Sequence, residues 1–306
     1  MSAIIQKIEQ LKKEKNAVIL AHYYTLPEVQ KIADFVGDSL ALARYAVNTD
    51  ADIILFAGVH FMAETSKILN PTKKVLIPDM EAHCSLADSC PAEELELFLK
   101  DYPNHVVLSY INCSAQVKAL SDIIVTSSNA LKIVNALPKD QKIVFTPDRN
   151  LGAYINSQTG KEMVLWDGAC HVHDRLNVDQ LVEMKEKYPH AKVLAHPECR
   201  GTVLALADFI GSTTAMLNYS EKDDTQEYIV ATETGILYEM QKRSPHKKFY
   251  LVQTDTKCNC NDCEFMKLST LSSILSALEN EKPEILLDSE LMEKAKKSIL
   301  KMLELS

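Results

Sequence analysis

The sequence predicts an α/β protein made of three αβα units, each with a four-stranded parallel sheet, related by a pseudo-threefold repeat around a central site. Three observations carry that reading. A hydrophobic run closes on Leu in "VIL", "VVL" and "KVL", with Leu20, Leu108 and Leu194 spaced 88 and 86 residues apart. The segments "ADFVGDS", "SDIIVTSS" and "ADFIGSTT" recur at the same two spacings. They align Asp34, Asp122 and Asp208, with a hydroxyl five residues after each: Ser39, Ser127 and Thr213. A later element of each unit, "KVLIPDMEAHC", "EMVLWDGAC" or "FYLVQTDTKC", runs into a cysteine.

The elements follow in order. Each unit opens on a helix-like segment: "IIQKIEQLKKEKN", "AEELELFLKDYPN" or "VDQLVEMKEKYPH". Two of these close with Tyr-Pro, a helix-ending signal. The Leu runs are first strands and the Asp segments second strands. "DIILFAGVHF", "KIVFTPDRN" and "YIVATETG" are third strands, and the cysteine-bound runs are fourth. Short β-branched runs between helical stretches mark buried parallel strands with helical crossovers. The expected divisions are 1–86, 87–173 and 174–285, followed by a C-terminal helix over 286–306. Its stripe of Leu291, Ala295, Ile299 and Leu303 predicts packing back on the first unit.

The bulk composition narrows the function. The 306 residues are 46% hydrophobic and carry a net charge of −9, which argues against a nucleic-acid partner. No apolar stretch approaches the roughly 18 residues that span a bilayer. The opening "MSAIIQKIEQLKKEKN" reads as an amphipathic helix and not as a signal peptide, so a cytoplasmic protein with no membrane partner is expected. Thiols stay reduced there, and the eight cysteines need a use other than disulfides. A reduced cysteine is most often a small buried hydrophobe.

Functional groups of parallel α/β sheets gather at the carboxyl ends of strands. The first strands end on His22, Tyr110 and His196, followed two residues later by Tyr24, Asn112 and Glu198. The second strands deliver Ser39, Ser127 and Thr213, suited to capping a helix or to holding an anion at a helix N-terminus. The fourth deliver Cys84, Cys170 and a cysteine of "CNCNDC". One thiolate per unit makes three ligands with a coordination position left open, which favours a 4Fe–4S cluster over catalytic zinc. Cys258, Cys260 and Cys263 could instead form a self-contained metal motif. A zinc-dependent lyase or hydrolase and a non-catalytic iron–sulfur sensor are the competing readings. The Gly-Lys pair of "GAYINSQTGK" lacks P-loop spacing, and no G-x-G-x-x-G follows a strand.

"ILAHYY", "ADFVGDSLALAR", "HFMAETSKILNP", "VLIPD", "TSSNA", "PDRNLG", "HPEC", "GSTTAM", "ATETGI" and "CEFMKLSTL", taken together and in this order, resemble quinolinate synthase, the A protein of bacterial and archaeal NAD biosynthesis. The likeness runs from about residue 15 to the C-terminus. It implies condensation of iminoaspartate with dihydroxyacetone phosphate to quinolinate, phosphate and water, a transferase-type reaction with dehydration. It also implies three αβα domains around a 4Fe–4S cluster with three cysteine ligands.

By motif these ligands are Cys84, Cys170 and Cys263, although the repeat period points at Cys258. Cys258 and Cys260 are then additional thiols capable of reversible pairing. The resemblance adds His173 in "CHVH" and Ser212 in "GST" to a substrate-binding set of His22, Ser39, Tyr110, Asn112, Ser127, His196, Glu198 and Thr213. Tyr24, Tyr110 and Glu198 are the proton-transfer candidates. His22 and His196, if charged, would hold carboxylates, and Ser127 with Asn129 would hold the phosphate. His171 stands where the family often has Pro, and Cys113 where a small residue is expected. An unstable imine substrate implies an aspartate oxidase or dehydrogenase as a transient upstream partner.

Overall fold

The apolar runs form strands because both faces of each sheet are covered, leaving no place for alternation. The computed structural model describes residues 3–254 and 261–306, so Cys258 and Cys260 lie outside the described residues. The first unit comprises α1 (Ala3–Glu14), β1 (Ala17–His22), α2 (Pro27–Ile32), β2 (Phe35–Gly37), α3 (Ser39–Asn48), β3 (Ile53–Ala57), α4 (His60–Leu69) and β4 (Lys74–Leu76). A short α5 (Ser85–Asp88) follows. The second comprises α6 (Ala92–Leu99), β5 (Val106–Tyr110), α7 (Ala115–Leu120), β6 (Ile123–Val125), α8 (Ala130–Ala136), β7 (Ile143–Thr146), α9 (Arg149–Thr159) and β8 (Val164–Leu165), then α10 (His171–Asp174). The third comprises α11 (Val178–Lys187), β9 (Lys192–Ala195), α12 (Gly201–Leu204), β10 (Phe209–Ile210), α13 (Thr213–Lys222), β11 (Glu227–Ala231), α14 (Ile236–Arg243) and β12 (Lys248–Leu251). A 3-10 turn (Glu264–Lys267), α15 (Leu271–Asn280) and α16 (Ser289–Leu305) complete the chain.

Each unit holds one all-parallel sheet in which the second strand lies outside the first, then the third and fourth follow: β2-β1-β3-β4, β6-β5-β7-β8 and β10-β9-β11-β12. The repeat seen in the sequence is a repeat of register. Leu20, Leu108 and Leu194 pair with Phe35, Ile123 and Phe209 on one side and with Phe56, Phe145 and Val230 on the other.

The aligned aspartates make this register. Asp34, Asp122 and Asp208 each accept the N–H of a first-strand residue, Ile19, Val107 or Val193, at 2.7, 2.8 and 2.7 Å. Each returns its own N–H to the carbonyl of that same residue at 2.9 Å. The carboxylate extends the ladder past the start of a second strand only two or three residues long.

The chain end departs from expectation twice. The segment through Ile285 was expected in the third unit, yet α15 packs on α1 and β3 of the first. Ile274, Ala277 and Leu278 share a core with Ile8, Ile19, Leu55 and Leu76. Residues 283–285 then run antiparallel beside β4, with the Ile77 N–H donating to the Pro283 carbonyl and that of Ile285 to Val75. The C-terminal helix, expected on the first unit, lies mainly against α7 and β6 of the second and touches α4 of the first. Ala295, Ser298, Ile299 and Met302 are its buried face, and Ser298 Oγ donates to the Lys118 carbonyl at 2.8 Å. An amphipathic stripe specifies a face and not the surface that receives it.

Replacing Asp122 by Ala leaves the Val107 N–H without its partner, and urea denaturation should show a loss of about 1 kcal/mol. Unchanged stability would mean that water replaces the carboxylate at no cost.

Candidate active site

The carboxyl ends of the three sheets face one cavity, where parallel α/β sheets gather their functional groups. His22, Tyr24, Ser39, Cys84, Tyr110, Asn112, Ser127, Cys170, His173, His196, Glu198, Thr213 and Cys263 all line it. Ser212 is the exception among the expected site residues: its Oγ accepts the Ala215 N–H and caps α13. Ser39 and Thr213 are the first residues of α3 and α13, whereas Ser127 sits in the turn before α8. Asn129 is not among the lining residues. Its Oδ1 accepts the Thr126 N–H at 2.6 Å, and its Nδ2 donates to Ser306 Oγ at 2.6 Å.

Each lining cysteine is the residue that begins a short helix: Cys84 before α5, Cys170 before α10 and Cys263 before the 3-10 turn. The free N–H groups there are turned on the sulfurs, those of Leu86 and Ala87 on Cys84, of His173 on Cys170, and of Phe265 and Met266 on Cys263. Burial nevertheless pushes the Cys84 thiol up to about 12, Cys263 to about 11 and Cys170 well above its ordinary value. Sulfurs gathered from three units in one cavity, each too buried to ionise alone, fit a metal cofactor, whose positive charge would keep them deprotonated. Cys170, His173 and Glu198 also bring donor atoms within 4.8 Å of one another, a second way to engage a metal. Asn112 Oδ1, buried without a protein partner, is an acceptor that a bound molecule can satisfy.

The residues that follow the cysteines also meet. Ser85 Oγ lies 2.6 Å from His171 Nδ1, and the His171 ring stands edge-on to Phe265 at 6.1 Å. His171 therefore joins the cysteine turns of two units and touches the third, a contact unlike any that Pro could make there.

Along the cavity wall runs a chain of proton-exchanging groups. Tyr24 Oη lies 2.6 Å from Thr232 Oγ1, which lies 2.8 Å from His173 Nε2. His173 Nδ1 lies 2.8 Å from Glu198 Oε2, and Tyr110 donates its O–H to Glu198 Oε1. One consistent arrangement has the Tyr24 hydroxyl donating to Thr232, Thr232 to Nε2, and Nδ1–H to Glu198. Carboxylate, imidazole and hydroxyl are then ordered as in a hydrolytic triad, and a proton can pass along them.

Burial alone would raise the Glu198 carboxyl, but the His173 and His196 imidazoles, with hydrogen bonds from His173 and Tyr110, hold it below the usual carboxylate range. Burial keeps the Tyr24 and Tyr110 phenols well above theirs. It also pushes His22 down to about 4 and His196 to about 3, so both are neutral at pH 7 in this structure, and the charge on which their holding of carboxylates was conditional is absent before an anion binds.

The family model for the quinolinate synthetase A protein matches residues 6–304. The chain belongs to the quinolinate synthase family. It is 56% identical over 303 residues to the quinolinate synthase of Synechocystis sp., covering 99% of this chain and 95% of that protein. It is equally identical over 304 residues to those of Thermosynechococcus vestitus and Chloroherpeton thalassium, covering 95% and 94% of them. Membership makes it an enzyme of NAD biosynthesis. Among the described residues no helix is long and apolar enough to cross a membrane.

Several residues of this quinolinate synthase family site escaped the sequence reading. Thr232 immediately follows β11, so a count of third-strand ends would have found it. Asp38 caps α3, accepts the Ser128 hydroxyl at 2.7 Å and lines the cavity with it. Lys267 donates to Glu233 and to the Tyr24 carbonyl, each at 2.7 Å. Gly235 packs so closely on Tyr24 that a Cβ would fall 2.7 Å from its backbone.

Thr232→Val keeps the shape but cuts the chain between Tyr24 and His173. Its kcat should fall about 10²-fold or more, with thermal stability near wild type; full activity would remove Thr232 from proton transfer. Acidification tests the buried histidine. Folded His22 excludes a proton that the unfolded chain takes up below about pH 6.5, so stability falls as pH drops toward 4. Between pH 7 and 5 that loss is about 2 kcal/mol, and urea denaturation of His22→Gln should show it removed.

Proposed function

We propose that this chain condenses iminoaspartate with dihydroxyacetone phosphate to quinolinate, releasing phosphate and two waters, with a 4Fe–4S cluster held by Cys84, Cys170 and Cys263. The observation that carries the reading is the meeting, in one cavity, of three helix-starting thiols from three units with the chain Tyr24–Thr232–His173–Glu198–Tyr110. When bound, the cluster supplies an iron with an open position, a Lewis acid that polarises a substrate oxygen and eases loss of water.

The protein's own groups do the rest. Ser39 and Thr213 offer hydroxyls beside free helix N–H groups to carboxylate and phosphate oxygens, and Ser127 adds a third hydroxyl. No Lys or Arg is among the described lining residues. His22 and His196 enter neutral and each presents one N–H. An incoming carboxylate raises their pKa, so protons accompany the anion into the site. Asn112 Oδ1 accepts the N–H of the imine nitrogen or of the amine it becomes. Tyr24 gives up or regains its proton through Thr232 and His173, while Glu198 and Tyr110 share the proton between them. Ring closure with two dehydrations needs groups able to act in both directions. Reduced thiols as ligands suit the cytoplasm. An aspartate oxidase or dehydrogenase supplies the imine in a transient encounter.

Anaerobically purified protein should be brown, with about four iron and four sulfide per chain. Colourless protein holding zinc would overturn the cluster. Glu198→Gln should keep the iron and lose turnover by about 10²–10⁴-fold, whereas Cys84→Ser should lose the cluster absorbance itself. Quinolinate formation by Glu198→Gln at the wild-type rate would remove the acid–base role.

A further inference from the structure

Two buried carboxylates have no part in the reaction just described. Asp148 and Glu233 are each 0% exposed, and each stands two residues past the third strand of its unit, after β7 and β11. Their bonds to backbone N–H groups are equivalent, and Glu233 Oε1 is in addition paired with Lys267 Nζ at 2.7 Å. Asp148 Oδ1 accepts the Leu151 N–H at 2.7 Å, capping α9, and Oδ2 accepts the Cys170 N–H at 3.2 Å. Glu233 Oε2 accepts the N–H of Gly235, the residue that begins α14, at 2.6 Å, and Oε1 accepts the Cys263 N–H at 3.1 Å.

In both units, then, one carboxylate joins the start of the helix after the third strand to the peptide of the cysteine after the fourth. The first unit does this without an acid. Val59 stands two residues past β3, and the cysteine turn is tied instead by the main chain, His60 N–H to the Ala82 carbonyl at 2.7 Å, and by Ser85 Oγ against His171 Nδ1.

A helix cap does not require this. A serine hydroxyl caps as well and costs less to bury than a carboxylate. The second oxygen is the part that reaches the cysteine, whose N–H belongs to no strand or helix ladder and would otherwise be a buried donor without a partner.

We propose that Asp148 and Glu233 are positioning residues for the metal centre, fixing Cys170 and Cys263 through their peptide N–H groups, a carboxylate support that Cys84 lacks. The inference rests on the cluster reading above. It makes Asp148 and Glu233 determinants of how firmly iron is retained, although neither is a ligand.

The test uses the full chain, reconstituted anaerobically, as Asp148→Ser and Glu233→Gln. Serine keeps the α9 cap but is too short to reach Cys170. Glutamine keeps the size of Glu233 but exchanges one acceptor oxygen for a donor. Three readouts are taken: iron per chain, the rate at which bipyridyl bleaches the visible band, and the electron paramagnetic resonance spectrum after dithionite reduction. Loss of such outer support typically weakens metal binding about 10–100-fold. Bleaching should quicken by a similar factor and the reduced spectrum should change, while the metal-free variants melt within a few degrees of metal-free wild type. Should Asp148→Ser not fold, Glu233→Gln decides alone. Wild-type bleaching and spectra in the folded variants overturn the proposal and leave the cluster reading standing. Wild-type protein that takes up no iron overturns both.

Discussion

The bond between an aspartate carboxylate and a first-strand N–H, made once in every unit, is the constraint on which the arrangement of the site depends. A second strand of two or three residues has too few ladder bonds to hold its own register. The carboxylate adds one more at the upstream end and, with the returning N–H, grips a single residue of the first strand by both its N–H and its carbonyl. A slip of one residue would carry Ser39, Ser127 and Thr213 away from the ends of β1, β5 and β9 and turn every side chain to the opposite face. Because all strands of a sheet run one way, everything that follows them emerges at one edge. Three such edges turned inward are enough to bring remote segments together.

The cavity they enclose has an unusual charge plan for a site that receives anions. Among the described residues its lining contains the carboxylates Asp38, Glu198 and Glu233 and no Lys or Arg. Attraction therefore comes from groups without a permanent charge: hydroxyls, helix N–H groups and imidazoles that stay neutral until an anion arrives. Lys267 neutralises Glu233 from outside the lining. Such a site has little long-range pull, in keeping with a net charge of −9, and selects by geometry after encounter.

The strands were legible because a repeated register leaves a repeated pattern, and Leu20, Leu108 and Leu194 with their aspartates carry it openly. The first- and second-strand site residues followed from position alone. The repeat period pointed at Cys258 and motif context at Cys263, because loop length varies without moving a strand; Cys263 lines the cavity, and Cys258 and Cys260 lie outside the described residues. Asp148 and Glu233 were not legible for a related reason. They differ in residue type, and their cysteines follow at unequal distances, so a common role left no common spacing. Thr232 was hidden by its ordinariness, a threonine after a strand being unremarked until Tyr24 and His173 are seen on either side of it. The protonation states of His22 and His196 depend on burial by three units together, which no local stretch encodes.

The return of α15 to the first unit has a consequence for how the protein is made. The apolar face formed by Ile8, Ile19, Leu55 and Leu76 is completed by Ile274, Ala277 and Leu278, and the edge of β4 is paired by residues 283–285. During synthesis the first sheet emerges long before the residues that cover it. It waits, half clothed, while the second and third units are translated, and its hydrophobic interior closes only when the last tenth of the chain has left the ribosome. The N-terminal unit is thus the first to be born and the last to be finished, and a truncation reaching back through α15 would uncover it as well as taking α16 from the second unit.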